Sequence, residues 1–290
     1  MSLPNVNITL GNGNIGTVTL SDDGISGLIL SGKAVDTKLA LDKVYILAGT
    51  SDLKKYGITK ENNPLLYKDI MAFYTAAGDG AELHLLVVDE DKTLTEICAM
   101  DDDAPLRKLI DSAAGRIRLV GINVNPGADY EPEITKCIDP DVVTAVTAAQ
   151  QVASNYLEKI APFVVLLPAL AWSGETTGLY QPREGSQDSV SVVLASDGKV
   201  GNGKFYSAAI GQVLGRLATC AVNISLARVR DGSIAAEGWL TDGKKPEDDY
   251  SLWNTLHDAG YIFYRTFIGK NGYYLNDDRS EERRVGKECR

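Results

Sequence analysis

Residues 139–167, DPDVVTAVTAAQQVASNYLEKIAPFVVLL, decide the fold class. Asp139 can cap a helix, Pro140 suits the first helical position, and Val142, Val146, Ala149, Val152 and Tyr156 return on one face at helical spacing. The run Phe163–Leu167 follows at once, with the length and branched side chains of a strand buried on both faces. A helix over 140–159 feeding directly into such a strand is the repeating unit of a sheet flanked by helices.

The same pairing recurs on the N-terminal side. Leu65, Leu66, Ile70, Met71, Phe73 and Tyr74 give a helix over 65–76, stopped by AAGDG, and LHLLVV at 83–88 is the strand after it. Leu106–Ala113 is a shorter helix ending near Gly115, followed by a strand over Ile117–Val124. ISGLIL (25–30) and VYILAG (44–49) are further strands, the second apolar enough to predict burial on both faces. Residues 5–20 alternate: Val6, Ile8 and Leu10 are apolar in every second place, GNGNIG intervenes, and Val18 and Leu20 resume the period. This predicts two short strands around a Gly-Asn turn.

On the C-terminal side, 172–188 is polar and Gly-containing, a loop or hairpin, and VSVVLA (190–195) a strand. A helix is expected over 205–220, where Gly211 and Gly215 lie one turn apart and let a neighbouring backbone approach. A short helix over 251–258 is stopped by Gly260. Tyr261–Ile268 and Gly272–Leu275 read as a closing hairpin around Lys270, Asn271 and Gly272. The expected fold is α/β, a mixed sheet flanked by helices, with an extended N-terminal strand arm.

Composition narrows the function. The chain has 290 residues, 44% hydrophobic and 23% charged, enough to bury a sizeable core and incompatible with a disordered or coiled-coil chain. Its formal charge of −10, with no basic run before residue 279, would repel a phosphate backbone, so no nucleic-acid partner is expected. The longest apolar stretch, Ile160–Trp172, carries Pro162 and Pro168 and falls short of the roughly 20 residues of a spanning helix. No basic start and apolar core of a secretory signal is seen at the N-terminus, so no membrane partner and a cytoplasmic site of synthesis are expected. Cys98, Cys137, Cys220 and Cys289 are too widely spaced for a zinc or disulfide framework, with only His84 and His257 to join them.

No catalytic, cofactor or metal set emerges. Gly11, Gly13 and Gly16 match GxGxxG, but TVTLSDDG after them is strand-like and supplies no helix N-terminus for a pyrophosphate. Gly198–Lys204 lacks the phosphate-loop spacing. Asp89–Asp91 and Asp101–Asp103 are consecutive carboxylates that point apart, without a calcium-loop pattern. His84 falls within an apolar strand as a core histidine, and His257 complements a helix C-terminus. Ser173 and Ser186 lie in polar loops outside any nucleophile elbow. Thirteen Tyr against five Phe, with Tyr261, Tyr264, Tyr273 and Tyr274 close together, suits either half-wet interfaces or ordinary strands.

LPNVNITLGNGNIG at the start, DGISGLILSG after it, FYSAAIGQVLGRLATCAVNIS, and the closing LWNTLHDAGYIFYRTFIGKNGYYLNDD carry a resemblance. In this order the chain resembles the contractile tail sheath family of bacteriophages and related contractile injection systems, in particular a divergent Bacteroidetes-type branch. The resemblance implies a structural subunit, not an enzyme, that polymerises with copies of itself around an inner tube and contracts to drive it through a target envelope. It implies baseplate and terminator proteins as further partners, assembly in the bacterial cytoplasm, and a final place in a virion tail or injection apparatus. Val6, Ile8 and Leu10 would then be the inter-subunit arm strand. An α/β enzyme, possibly nucleotide-linked, and another tail or baseplate structural protein are the alternatives.

The expected division is an arm over 1–20 and a core over 21–278. The last twelve residues, RSEERRVGKECR (279–290), break the composition. Back-translated with permitted codons they match a common sequencing-library adapter, so they are expected to be non-native and the natural chain to continue with a missing C-terminal part.

Overall fold

The computed structural model describes residues 25–126, 130–159, 161–185, 187–201, 203–219, 226–227 and 229–276. The arm strand of Val6, Ile8 and Leu10, the glycines at 11, 13 and 16, Ser186, Cys220 and the segment 279–290 lie outside them.

In chain order the elements are β1 (Ser26–Ser31), β2 (Val44–Leu47), α1 (Ser51–Lys55), α2 (Pro64–Ala77), β3 (Leu83–Val88), α3 (Leu94–Ile97), α4 (Pro105–Ser112) and β4 (Leu119–Asn123). Next come α5 (Pro140–Glu158), β5 (Val164–Pro168), β6 (Val190–Val193), β7 (Ala195–Lys199), β8 (Tyr206–Ala208) and α6 (Ile210–Thr219). The described chain ends with β9 (Trp239–Leu240), α7 (Ser251–Ala259), β10 (Tyr261–Ile262), β11 (Tyr264–Arg265) and β12 (Tyr274–Leu275).

Seven strands form one sheet in the order β10-β6-β5-β4-β1-β3-β2. Every pair is parallel except β2 against β3. Ser26 of β1 stands between Leu83 of β3 and Leu119 of β4, which fixes the register across the middle. The alternation of side chains builds two cores. Ile29, Val120, Ile122, Val165 and Leu167 face α3, α4, α5 and α7. Leu28, Leu30, Leu85, Val87 and Leu166 face α2 and α6. Both faces being covered is why β1, β3, β4 and β5 read as continuous apolar runs. Two small antiparallel sheets, β8-β7-β9 and β11-β12, complete the chain.

The helix ends follow local chemistry. Asp139 caps α5 by accepting the Asp141 amide at 2.8 Å. The Asp141 carboxylate in turn accepts from the Leu94 and Thr95 amides, so α5 satisfies the start of α3. Gly260 ends α7 with φ of 99°, its amide donating to the Leu256 and His257 carbonyls.

Three readings need correction. β2 is not buried on both faces: among the described residues it lies at the edge of the sheet, and Ile46 is 56% exposed. The helix expected over 205–220 begins only at Ile210, since Tyr206–Ala208 are drawn into β8 by pairing with β7. The closing hairpin is split: Tyr261 and Ile262 join the large sheet beside β6, and only Tyr264–Arg265 pairs with Tyr274–Leu275.

Thr37 holds φ of 58° at the exposed tip of a turn closed by Val35 and Leu39, a conformation a branched side chain resists. Thr37→Asn is therefore expected to stabilise the fold by about 0.5–1 kcal/mol, because asparagine enters this region at lower cost. Chemical denaturation of the two proteins measures the difference, and an unchanged or lowered midpoint would count against strain at this tip.

Candidate functional site

Doubly wound sheets bind ligands where the strand order reverses, beyond the carboxyl ends of the strands. Here that place lies between β1 and β4, since the chain leaves β1 for β3 on one side and returns to β4 on the other. The chain fills it with its own groups. The Asn125 amide donates to Ser31 Oγ at 2.8 Å, bridging the ends of the two strands. Buried Asn63 clasps Lys33, accepting from its amide at 2.7 Å and donating to its carbonyl at 3.0 Å. The cavity beside it, walled by Val124, Asn125, Tyr130, Phe205 and Thr241, measures about 20 Å³, room for about one water molecule. A dinucleotide does not fit there.

Next to this cavity lies a polar centre contributed by five elements. Asp69 on α2 is wholly buried. One of its oxygens accepts from Asn123 Nδ2 at 2.8 Å, the other from the Gly211 amide at 3.2 Å, so a carboxylate sits at the start of α6 where the helix dipole favours it. Lys68 Nζ stands 2.5 Å from Asp197 of β7 and 3.2 Å from Asp69, and also donates to the Ala208 carbonyl. Asn123 Nδ2 reaches Ser207 Oγ and the Ala208 carbonyl of β8 as well. Burial works against the Lys68 ammonium, but the two carboxylates outweigh it and hold its pKa above the ordinary lysine value. Burial likewise pushes Asp197 upward, opposed by Lys68. The arrangement ties α2, β4, β7, β8 and α6 together and offers no open position for a substrate.

None of these residues stood out as a site in the sequence, because positions 68, 69, 123, 197 and 207 meet only in the fold. One signal was present: Asp69 interrupts the apolar face of α2 between Leu66 and Phe73, where a charge must find partners.

The candidates that the sequence did raise stay apart. His84 is a buried β3 residue bonded through Nε2 to Glu82 at 2.8 Å. His257 lies in the last turn of α7 near Asn276. Ser173 Oγ accepts the Glu175 amide within its loop. Asp89 accepts the Asp91 amide, Glu90 pairs with Lys33, and Asp102 pairs with Arg107. Cys98 and Cys137 are buried free thiols, and among the described residues no three His, Cys, Asp or Glu side chains gather as a metal site. No helix of the described residues is long and apolar enough to cross a membrane.

Among the described residues the surface features open to a partner include the outer side of β2 and the exposed side chains of Ile268 and Tyr250. β2 has no strand on its outer side among the described residues. Ile268, at the tip between β11 and β12, is fully exposed, and Tyr250 is 60% exposed against Trp253 at the start of α7.

The family model described as DUF2586, N-terminal domain, matches residues 3–279. Among curated proteins none matches in sequence. Among solved structures, the helical sheath of the anti-feeding prophage in its contracted state aligns over 99% of this chain and 76% of its own, with a TM-score of 0.55 at 15% identity. The sheath of an extracellular contractile injection system, PVC, also contracted, aligns over 95% of this chain and 65% of its own, with a TM-score of 0.44 at 14% identity.

Proposed function

Since the chain belongs to the DUF2586 family, matched by the model of its N-terminal domain, and has a fold like that of the anti-feeding prophage sheath protein, we propose that it is a subunit of a contractile sheath. The observation that carries this reading is the alignment of 99% of the chain with that sheath protein. The filled crevice at the strand-order reversal supports a structural role over a nucleotide-linked one. In this reading copies of the chain stack in a helix around an inner tube and meet a baseplate and a terminator at the two ends. Residues 5–10, with Val6, Ile8 and Leu10, are the arm strand that joins neighbouring subunits, using main-chain hydrogen bonds that any sheet edge can supply. Assembly takes place in the bacterial cytoplasm, before the sheath joins a tail or injection apparatus.

Contraction then moves subunits as rigid bodies, because the tightly packed two-sided core leaves little internal freedom. Coexpression of the full-length gene product with an inner-tube protein of a contractile system, followed by negative-stain electron microscopy, tests the proposal. Helical tubes that incorporate the chain are the expected result. A closed small oligomer stabilised thermally by a dinucleotide would replace it with the enzyme reading.

A further inference from the structure

Charge is spread unevenly over this acidic chain. Residues 35–60 carry five lysines against three aspartates, although the whole chain has a formal charge of −10. The fold gathers lysines round two tyrosines. Tyr45 of β2 packs on Tyr56, just past α1, with ring centres 4.9 Å apart. Lys43 Nζ stands 5.5 Å from the Tyr45 ring centre and Lys55 Nζ 4.9 Å from that of Tyr56, while the Lys38 stem passes beside Gly57. Lys54, next to Lys55 on α1, is exposed. A ring holds an ammonium by its quadrupole and leaves the charge unneutralised. Of the three aspartates, Asp52 is engaged by the Ala48 amide at 2.8 Å.

The other end of the sheet carries the complementary surface. β2 and β10 are the outermost of the seven strands, and α7 lies against β10. Just before α7, Asp248 and Asp249 are exposed, and Tyr250 projects with its ring on Trp253 at 4.7 Å. Asp249 accepts from the hydroxyl and the amide of Ser251, which holds its carboxyl below the usual range and keeps it ionised. Lys244 nearby is paired with Asp242 at 3.5 Å. Opposite charges at opposite ends of one molecule suit a head-to-tail contact between copies, whereas a two-fold contact at either face would set like charges together. Head-to-tail contacts repeat, and they close a ring or climb as a helix.

We propose that the lysine face of β2 and α1, with Lys43, Lys54 and Lys55 round Tyr45 and Tyr56, docks on the Asp248-Asp249-Tyr250 shoulder of a second copy. The choice of a second copy as partner rests on the sheath reading, and the proposal deepens it by naming the two surfaces.

The test mixes two charge-reversed forms of the full chain, Lys54→Glu with Lys55→Glu and Asp248→Lys with Asp249→Lys, and follows association by sedimentation velocity at low salt. The unmodified chain is expected to associate, each variant alone about 10-fold more weakly, and the equimolar mixture as well as the unmodified chain, since each then meets an opposite charge. An unmodified chain that stays monomeric, variants that associate undiminished, or a mixture without recovery overturns the proposal. Thermal melting checks that the variants are folded. Asp248→Asn with Asp249→Asn keeps the side-chain acceptors, so it replaces the lysine pair if that pair unfolds, with weaker association again expected and undiminished association again overturning the proposal. Tube formation with an inner-tube protein is scored separately by microscopy. Tubes built from either charge-reversed variant alone overturn this contact and leave the sheath reading standing, while charge-dependent association without tubes supports the contact and counts against the sheath.

Discussion

Gly211→Ala is expected to lower the unfolding free energy by about 3 kcal/mol, although alanine is the better helix former by about 1 kcal/mol. The contact between α2 and α6 reverses the sign. A Cβ at position 211 would stand 2.1 Å from the Asp69 carbonyl oxygen, and at 215 it would stand 2.4 Å from that of Phe73. Both obstacles are backbone, which cannot rotate away as a side chain can, so the helices must separate. Overpacking of this kind costs about 1–3 kcal/mol. Separation would also stretch the bond from the Gly211 amide to buried Asp69, adding the cost of a weakened charge-assisted contact. Urea titration of Gly211→Ala and Gly215→Ala measures both losses, with the exposed α2 variant Thr75→Ala as a nearly neutral control. An alanine variant at either glycine as stable as the parent would show that the helices do not meet this closely.

Lys68→Met is expected to cost about 3–4 kcal/mol, since removing one member of a buried charge group leaves the others uncompensated. The side chains of Lys68 and Asp197 keep 18% and 17% exposure, which places the figure toward the lower end. The loss should depend on pH, and its sign can be worked out. Burial already raises the Asp197 pKa, and without the Lys68 ammonium that opposes the rise it goes up further. A carboxyl with a raised folded pKa binds its proton more tightly in the folded state, so it loses stability as pH rises from the unfolded value through the folded one. The deficit of Lys68→Met should thus be smaller at pH 5 than at pH 8. Adding Asp197→Asn should recover most of it at pH 8, because one buried charge is then removed. A deficit independent of pH and unrelieved by the second change would mean that lost packing of the lysine stem, not charge, is responsible.

The middle of the sheet was legible because β1, β3 and β5 are buried on both faces and their sequences carry uninterrupted apolar runs. α2 and α5 were legible for the complementary reason, a stripe at helical spacing bounded by Pro64 or Pro140. The Gly211 and Gly215 spacing foretold a close backbone neighbour, and α2 is that neighbour. β2 misled because Val44, Ile46 and Leu47 have the composition of an interior strand, while position within the sheet is a property of topology. β8 was concealed by continuity: Tyr206–Ala208 run into α6 without a breaker, and only cross-strand bonding to β7 separates them. The polar centre was illegible as a group, since the distance along the chain from Lys68 to Asp197 carries no mark of their 2.5 Å contact.

The placement of β10 has a consequence for how the protein is made. Its two residues close the large sheet beside β6, yet about 70 residues of chain separate Val193 from Tyr261. At a synthesis rate of roughly 5–20 residues per second, the ribosome needs about 4–14 s to supply them. During that interval the outer side of β6, a strand of Val190, Ser191, Val192 and Val193, stays open to any nascent chain on the same message. Final closure must wait for α7 and β10 to emerge, so a slow translation step after codon 193 is expected to raise the yield of aggregated chains, and a fast one to lower it.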